Sequence, residues 1–289
     1  MFRDAYSIAR QFTHMVIFCQ RDGNKVCKAH GGSFVVINSD GWIATAFHVM
    51  NKYRTLEADV QATRVYNAEL ERFTADASLS IEERGKRIKG LKRPTTTDAR
   101  ECSAIWGRSD VQAKDWSYIE AVDLAIARLE PFDPAWITAY PVFKDPAKDF
   151  EPGVSLCKIG FPFQDIKPVW DDADPGFQFP TPYSSVLFPL EGIFTRVVQL
   201  AEPDVASTSS YPLLCIETST PALRGQSGGP TVDARGSIWG VQIGSLALPL
   251  EFDRPGISKQ YLNVGLSVHA STMLGFFDEK GIAYNLSRY

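Results

Sequence analysis

Short β-type runs follow one another along most of the chain, and turn sequences separate many of them. Apolar, aromatic and β-branched residues mark ten such runs, at 14–20, 33–38, 42–47, 116–120, 123–129, 154–159, 193–200, 213–218, 237–243 and 261–268. The turn sequences Asp22-Gly23, Asp40-Gly41 and Arg235-Gly236 are of the kind that joins the strands of hairpins. Many short strands and few helices predict an all-β barrel or sandwich architecture.

A Pro-rich stretch at 130–134 divides these runs into two sets of similar size. We therefore predict two domains, 1–130 and 131–289. The length of 289 residues agrees with two units of roughly 150 residues each. A hydrophobic content of 44% is enough to build a real core.

Two stretches depart from the strand pattern. Between 53 and 73 the apolar residues recur mostly every three or four positions, which predicts an amphipathic helix. Ser80 and Glu83 have capping-box spacing, which predicts a second helix that Pro94 would end. We predict a helical insertion at about 52–100, a long surface loop at 161–189 and a short helix at the C-terminus.

Charge and hydropathy exclude several classes of partner. The net charge of −4 gives no general basic surface, so we expect no nucleic-acid partner. No apolar run approaches the ~18 residues that cross a bilayer, and the first residues lack a signal-peptide core, so we expect no membrane partner and a cytoplasmic location.

The cysteines argue against both a disulfide framework and a zinc site. Their number is odd, they are scattered, and none is in a CxxC pair: Cys19, Cys27, Cys102, Cys157 and Cys215. We expect reduced thiols, with a Cys19–Cys27 disulfide across a hairpin as the open alternative. No metal-ligand cluster or phosphate-binding glycine loop is evident, so we expect no cofactor.

The segment Gly225-Gln226-Ser227-Gly228-Gly229-Pro230 carries the strongest chemical signal. A serine between glycines can expose its hydroxyl on a backbone that also directs N–H groups at an anion. Acyl transfer needs both a nucleophilic oxygen and two preorganised donors, which Gly225 and Ser227 would supply. A plain glycine turn is the alternative interpretation.

Two further segments raise the weight of that signal. His48 follows a strand-turn-strand pattern, 31–47, and could act as a general base, although a lone histidine is usually structural. Asp123 opens the apolar run 124–129 and could orient an imidazole, although an aspartate there is usually a cap. We expect His14, His30 and His269 to be structural or surface residues.

Together the segments GGSFVVINSDGWIATAFHV, VDLAIARL and GQSGGP resemble the three signature regions of trypsin-like, chymotrypsin-fold serine proteases. The similarity is greatest to the bacterial branch related to the high-temperature-requirement proteases. Residues 218–229 resemble the segment that carries the nucleophile in that branch. This resemblance implies two six-stranded antiparallel β-barrels. It also implies a triad in which Ser227 attacks, His48 transfers the proton and Asp123 stabilises the imidazolium, with the Gly225 and Ser227 amides as oxyanion hole.

The departures from these relatives also carry predictions. Gln226 replaces the aspartate that pairs with a newly cut N-terminus in digestive members, so we expect no activation by N-terminal clipping. Val49 stands where secreted relatives have a cysteine, in agreement with a reducing compartment. We expect no peptide-binding PDZ domain of the kind that these relatives carry, because only residues 269–289 follow the last predicted strand.

Position relative to these relatives assigns the primary specificity pocket to Pro221, Ser245, Gly265 and Ser267. No carboxylate is among them, and an unpaired buried Lys or Arg side chain costs several kcal/mol. We therefore predict cleavage of a specific protein or peptide after small or medium uncharged residues.

Two questions stay open from the sequence. The helical insertion at 53–93, with six basic residues from Arg84 to Arg93, either docks a regulatory or substrate partner or merely packs on the N-terminal barrel. The chain is predicted to be a trypsin-like serine endopeptidase. The alternative is a catalytically silent binding or scaffold protein with the protease fold.

Overall fold

The structure is a computed structural model and describes residues 2–93, 99–180, 186–200, 209–249 and 261–289. Most of its regular elements are strands, as predicted. Its α-helices are α1 (Arg3–Ala9), α2 (Phe47–Ala75), α3 (Ile81–Gly90) and α4 (Ala270–Glu279). The last of these is the predicted C-terminal helix. None of the helices in the described ranges is long and apolar enough to span a bilayer.

The first sheet is antiparallel and has six strands. They are β1 (Thr13–Asp22), β2 (Cys27–Val36), β3 (Trp42–Ala46), β4 (Ala99–Trp106), β5 (Gln112–Ile119) and β6 (Leu124–Glu130), in the order β4-β1-β2-β3-β6-β5. Within the described residues no ladder joins the outer strands β4 and β5. The sheet is therefore a six-stranded half-barrel, and its closure into the predicted barrel stays a prediction.

The second sheet contains eight strands. They are β7 (Val142–Phe143), β8 (Ser155–Gly160), β11 (Phe188–Val198), β12 (Cys215–Thr218), β13 (Pro230–Val232), β14 (Ile238–Pro249), β15 (Tyr261–His269) and β16 (Asn285–Leu286), in the order β13-β8-β11-β12-β15-β14-β7-β16. A further pairing of β13 with β14 closes six of them into a ring. β7 and β16 extend this ring through parallel pairs.

One cluster of buried apolar side chains continues from the first sheet into the second. In the first sheet Phe34 and Trp106 are almost fully buried and pack edge to face, 5.5 Å between ring centroids. Such aromatic pairs add about 1 kcal/mol to the burial of their area. The strands of the first sheet end at Glu130, and the division of the chain into two domains there stays a prediction.

The helical insertion begins earlier than the sequence pattern indicates. α2 starts at Phe47 rather than near 53, directly after β3, and packs against β4 through Leu56, Val60 and Ala99. The predicted capping box starts α3, where Ser80 Oγ accepts from the Glu83 amide and the Glu83 carboxylate accepts from the Ser80 amide. α3 ends at Gly90, and the predicted stop at Pro94 lies outside the described residues.

The predicted surface loop at 161–189 holds more order than expected. A short hairpin, β9 (Val169–Asp171) with β10 (Gly176–Gln178), lies inside it, and β11 begins at Phe188. Trp170 and Phe177 are register partners in this hairpin, and their rings pack edge to face. Residues 181–185 lie outside the described part.

All five cysteines are free thiols. Cys19 and Cys27 are not opposite each other in the β1–β2 hairpin, because Cys19 faces Ala29 and Cys27 faces Arg21. The alternative of a disulfide across this hairpin is therefore wrong for this structure.

Candidate active site

Asp123 holds His48 by two hydrogen bonds. The backbone amide of His48 donates to Asp123 Oδ1 at 2.7 Å, and His48 Nδ1 lies 2.6 Å from Asp123 Oδ2. The amide of Phe47 donates to the Asp123 carbonyl oxygen at 2.9 Å. Asp123 itself has a left-handed backbone, φ 56°, at the end of a 3₁₀ turn before β6.

This arrangement explains why the histidine stands at the start of a helix. The first amides of an α-helix have no partner inside the helix, and an acidic side chain that accepts from them stabilises the helix by about 1 kcal/mol. Asp123 does this for α2 from another element. Sequence reasoning placed His48 at the end of a strand, in a loop, whereas the structure places it in the first turn of α2.

Ser227 lies in the segment 219–229, between β12 and β13, which we call the nucleophile loop. Two glycines in this loop have a left-handed backbone, Gly225 with φ +96° and Gly228 with φ +86°. A Cβ at Gly228 would collide with the Ser33 carbonyl oxygen, and one at Gly225 with the Phe161 carbonyl oxygen. Only glycine allows the loop to approach both sheets so closely.

Ser33 attaches the nucleophile loop to the first sheet. Its amide donates to the Ser227 carbonyl oxygen and its hydroxyl donates to the Gly225 carbonyl oxygen, both at 2.8 Å. Ser33 is fully buried. Sequence reasoning gave this serine no role, although a serine inside the apolar run that precedes His48 is a signal that could have drawn attention to it.

The amides of Gly225 and Ser227 have no acceptor within the described part of the chain. The neighbouring Gln226 is buried, and its side chain accepts from the Leu223 amide at 3.0 Å and donates to the Phe188 carbonyl oxygen at 3.2 Å. A neutral amide thus braces the loop at the position that in digestive relatives carries an aspartate.

One cavity of about 600 Å³ adjoins both His48 and the nucleophile loop. His48, Gly225 and Ser227 all line it. His48 is exposed and Ser227 is half-buried, so a ligand in this cavity reaches both. Because Nδ1 of His48 faces Asp123, the other ring nitrogen remains for the serine hydroxyl or a ligand.

The four residues assigned to the primary pocket do not line this cavity. Ser245 and Gly265 are register partners on β14 and β15. Ser245 Oγ accepts from the Ala222 amide at 2.8 Å, and Ser267 Oγ lies 2.7 Å from Thr231 Oγ1 inside the sheet. Pro221 and Gly265 are brought together by a residue that sequence reasoning missed, Lys158.

Lys158 is a fully buried lysine on β8, beneath these pocket residues. Its ammonium donates to Thr218 Oγ1 at 3.0 Å, to Thr220 Oγ1 at 2.8 Å, to the Pro221 carbonyl oxygen at 3.2 Å and to the Thr220 carbonyl oxygen. A Cβ on Gly265 would lie 2.7 Å from Nζ. Burial lowers the pKa of Lys158 to about 8. The sequence signal was a charged residue in an otherwise apolar strand.

The described chain thus has two large β-sheets, with the nucleophile loop between them. Residues 32–241, most of the chain, match the family described as "Trypsin-like peptidase domain". The chain belongs to this family, and it is therefore a serine protease, as we predicted.

Solved structures include similar folds. The active form of the Rv3671c protease from M. tuberculosis is 14% identical with a TM-score of 0.49, the match covering 98% of this chain and 86% of that one. The HtrA-type protease AlgW with a decapeptide is 15% identical with a TM-score of 0.50, the match covering 97% and 67%. The latter shows a shared chymotrypsin-like fold. No curated protein sequence matches this chain.

Proposed function

We propose that this protease is an endopeptidase acting on a specific protein through His48, Asp123 and Ser227. The observation that carries the proposal is the Asp123 carboxylate, which binds both the amide and Nδ1 of His48 while His48 and Ser227 line one cavity. An aspartate on Nδ1 fixes the imidazole tautomer that accepts a proton on the opposite nitrogen.

The chemistry follows from these roles. Ser227 Oγ attacks the scissile carbonyl carbon and passes its proton to His48, and the Gly225 and Ser227 amides bind the resulting oxyanion. The tetrahedral intermediate breaks its C–N bond, and His48 returns the proton to the leaving amine. Water, deprotonated by the same imidazole, then attacks the acyl carbon. The ester C–O bond breaks, and His48 returns this proton to Ser227 Oγ as the carboxyl product leaves.

The primary pocket is proposed to accept small or medium uncharged side chains. The Lys158 ammonium beneath Gly265 repels a basic side chain, and no carboxylate is among the assigned pocket residues to offset this. Its three protons face four protein acceptors, so no donor remains free for a substrate carboxylate either.

The test is digestion of a peptide library, with the cleavage sites read by mass spectrometry. We expect cleavage after small or medium uncharged residues, and a loss of about 10⁴- to 10⁶-fold in Ser227→Ala. Ser39→Ala is the matched control, because Ser39 is exposed and outside the cavity. A profile dominated by Arg or Lys would refute the pocket assignment, and unchanged cleavage by Ser227→Ala would refute the function.

We also propose that the insertion 53–93 docks a regulatory or substrate protein with an acidic surface. Lys89, Lys92 and Arg93 are exposed, and within the described ranges they have no ion-pair partner. By contrast, Lys86 pairs with Glu82 at 2.8 Å and Arg84 binds the Asp76 carbonyl oxygen. Replacing all three free cations by Glu should slow cleavage of the natural protein substrate but not of a short peptide. Unchanged cleavage of the protein would overturn this.

A cytoplasmic location remains part of the proposal. It is supported by the five free thiols, since exported proteins of the oxidising compartments usually pair their cysteines. Fractionation of cells with an antibody to the chain tests it, and recovery only with exported proteins would overturn it.

A further inference from the structure

The cavity that holds His48 and Ser227 is also lined by basic side chains. Lys52 lies one turn after His48 on α2, His30 lies on β2, and Arg224 immediately precedes Gly225 in the nucleophile loop. Three separate elements therefore direct basic groups at one opening beside the nucleophile.

The cations of the described lining outnumber its carboxylates. Within the described residues neither Lys52 nor Arg224 has an acidic group at ion-pair distance. Asp165 is the acidic member of the described lining, and it lies 2.7 Å from Lys167. On a chain with net charge −4, this concentration of cations is a local feature.

The basic groups also influence one another. Partial desolvation of its ammonium by the cavity wall, and then the charge of Arg224, lowers the pKa of Lys52 although its side chain is exposed. Burial, followed by the charges of Lys52, Arg224 and Lys28, lowers the pKa of His30. A bound carboxylate would relieve this mutual repulsion, because it offsets like charges that now face water.

The position of the cavity indicates which part of a substrate it receives. A substrate crosses Ser227 with its acyl side in the primary pocket, and none of the residues assigned to that pocket lines this cavity. The leaving amine takes its proton from His48, and Lys52 is the neighbour of His48 four residues along the same helix. The cavity therefore lies on the leaving-group side.

We propose that this cavity selects acidic side chains in the substrate residues that follow the scissile bond. The inference rests on the proposed function, because it takes Ser227 as the nucleophile. Lys52 and Arg224 are the specificity-determining residues. Complementary charge of this kind acts on both association and affinity, and it weakens as salt is added.

The experiment compares peptides that share one acyl side and carry Asp and Glu, Asn and Gln, or Lys in the three positions after the cleaved bond. We expect the acidic peptide to have a kcat/KM about 10-fold above that of its amide counterpart at low salt, with the Lys peptide lowest. The preference should fall in Lys52→Gln and be lost in Lys52→Gln/Arg224→Gln. Lys25→Gln/Arg10→Gln, which removes the same charge from exposed sites outside the cavity, should keep it.

A peptide ester with a p-nitrophenyl leaving group separates this inference from the function on which it rests. If the wild type hydrolyses the ester but treats acidic and amide peptides alike, the acidic preference is wrong and the protease assignment stands. A preference that persists in the double variant would also overturn the role of these two cations. If neither ester nor peptides are hydrolysed by the folded chain, both proposals fail together.

Discussion

Basic side chains approach the nucleophile loop in two regions, and they differ in whether their donors are engaged. Lys158 is fully buried, and its ammonium already meets four acceptors at Thr218, Thr220 and Pro221. Lys52 and Arg224 are exposed at the cavity, where the described residues offer no ion-pair partner. A cation whose donors all have acceptors in the protein shapes a pocket and excludes other cations. A cation with free donors can bind an anion.

We expect the largest effect from a methyl group placed against Lys158, the cation whose donors are all engaged. In Gly265→Ala the new Cβ would lie 2.5 Å from the Thr220 carbonyl oxygen and 2.7 Å from Lys158 Nζ. We expect the free energy of unfolding to fall by roughly 3 kcal/mol, because a packed backbone cannot yield and a buried charge loses acceptors. Urea denaturation measures this change.

Gly31→Ala is the matched control in the open region. Its Cβ would collide with the side-chain end of Gln164, which can rotate away. We expect a loss below about 1 kcal/mol there. Equal losses in the two variants would mean that the pocket region is no more tightly packed than the cavity.

Lys158 should also give the unfolding free energy a pH dependence. Its pKa is about 8 in the folded protein and 10.5 in an unfolded chain, so between these values the unfolded state binds more protons. Stability should therefore rise with pH from 8 towards 10.5, by on the order of 2 kcal/mol, and this contribution should be absent from Lys158→Met.

The measurement is urea denaturation of both proteins at several pH values from 7 to 10. Below pH 8 the unfolding free energies of the two proteins should change with pH in parallel, because Lys158 is then charged in both the folded and the unfolded state. The unfolding free energies of wild type and Lys158→Met could instead differ by the same amount at every pH. That result would mean that burial does not lower the pKa of Lys158.

The strand pattern could be predicted because strands carry their signal locally. All ten predicted runs overlap observed strands, from β1 through β15, since alternation and turn residues need no distant partner. β4 was missed because Ala99–Trp106 mixes charged and small residues and is buried at Ala99 and Trp106. Its stabilisation comes from pairing with β1, which is 77 residues or more away in the chain.

The candidate site shows the same limit. The glycine-rich nucleophile loop is readable because its residue types serve one backbone geometry. The helical start at Phe47 is not, because the acceptor for its first amides is Asp123, which lies 75 residues after His48. The partners of Lys158 were likewise invisible, since Thr218 and Thr220 come from another strand end.

The central claim is that Ser227 is an activated nucleophile, and a fluorophosphonate probe tests it most directly. Mass spectrometry of the labelled wild type should find the probe on Ser227, none in Ser227→Ala, and labelling about 10⁴-fold slower in Asp123→Asn. If the folded wild type takes up no probe, Ser227 is not activated, and the chain is a binding protein with a protease fold. If Asp123→Asn is labelled as fast as the wild type, Ser227 reacts without Asp123, and the three residues do not act together.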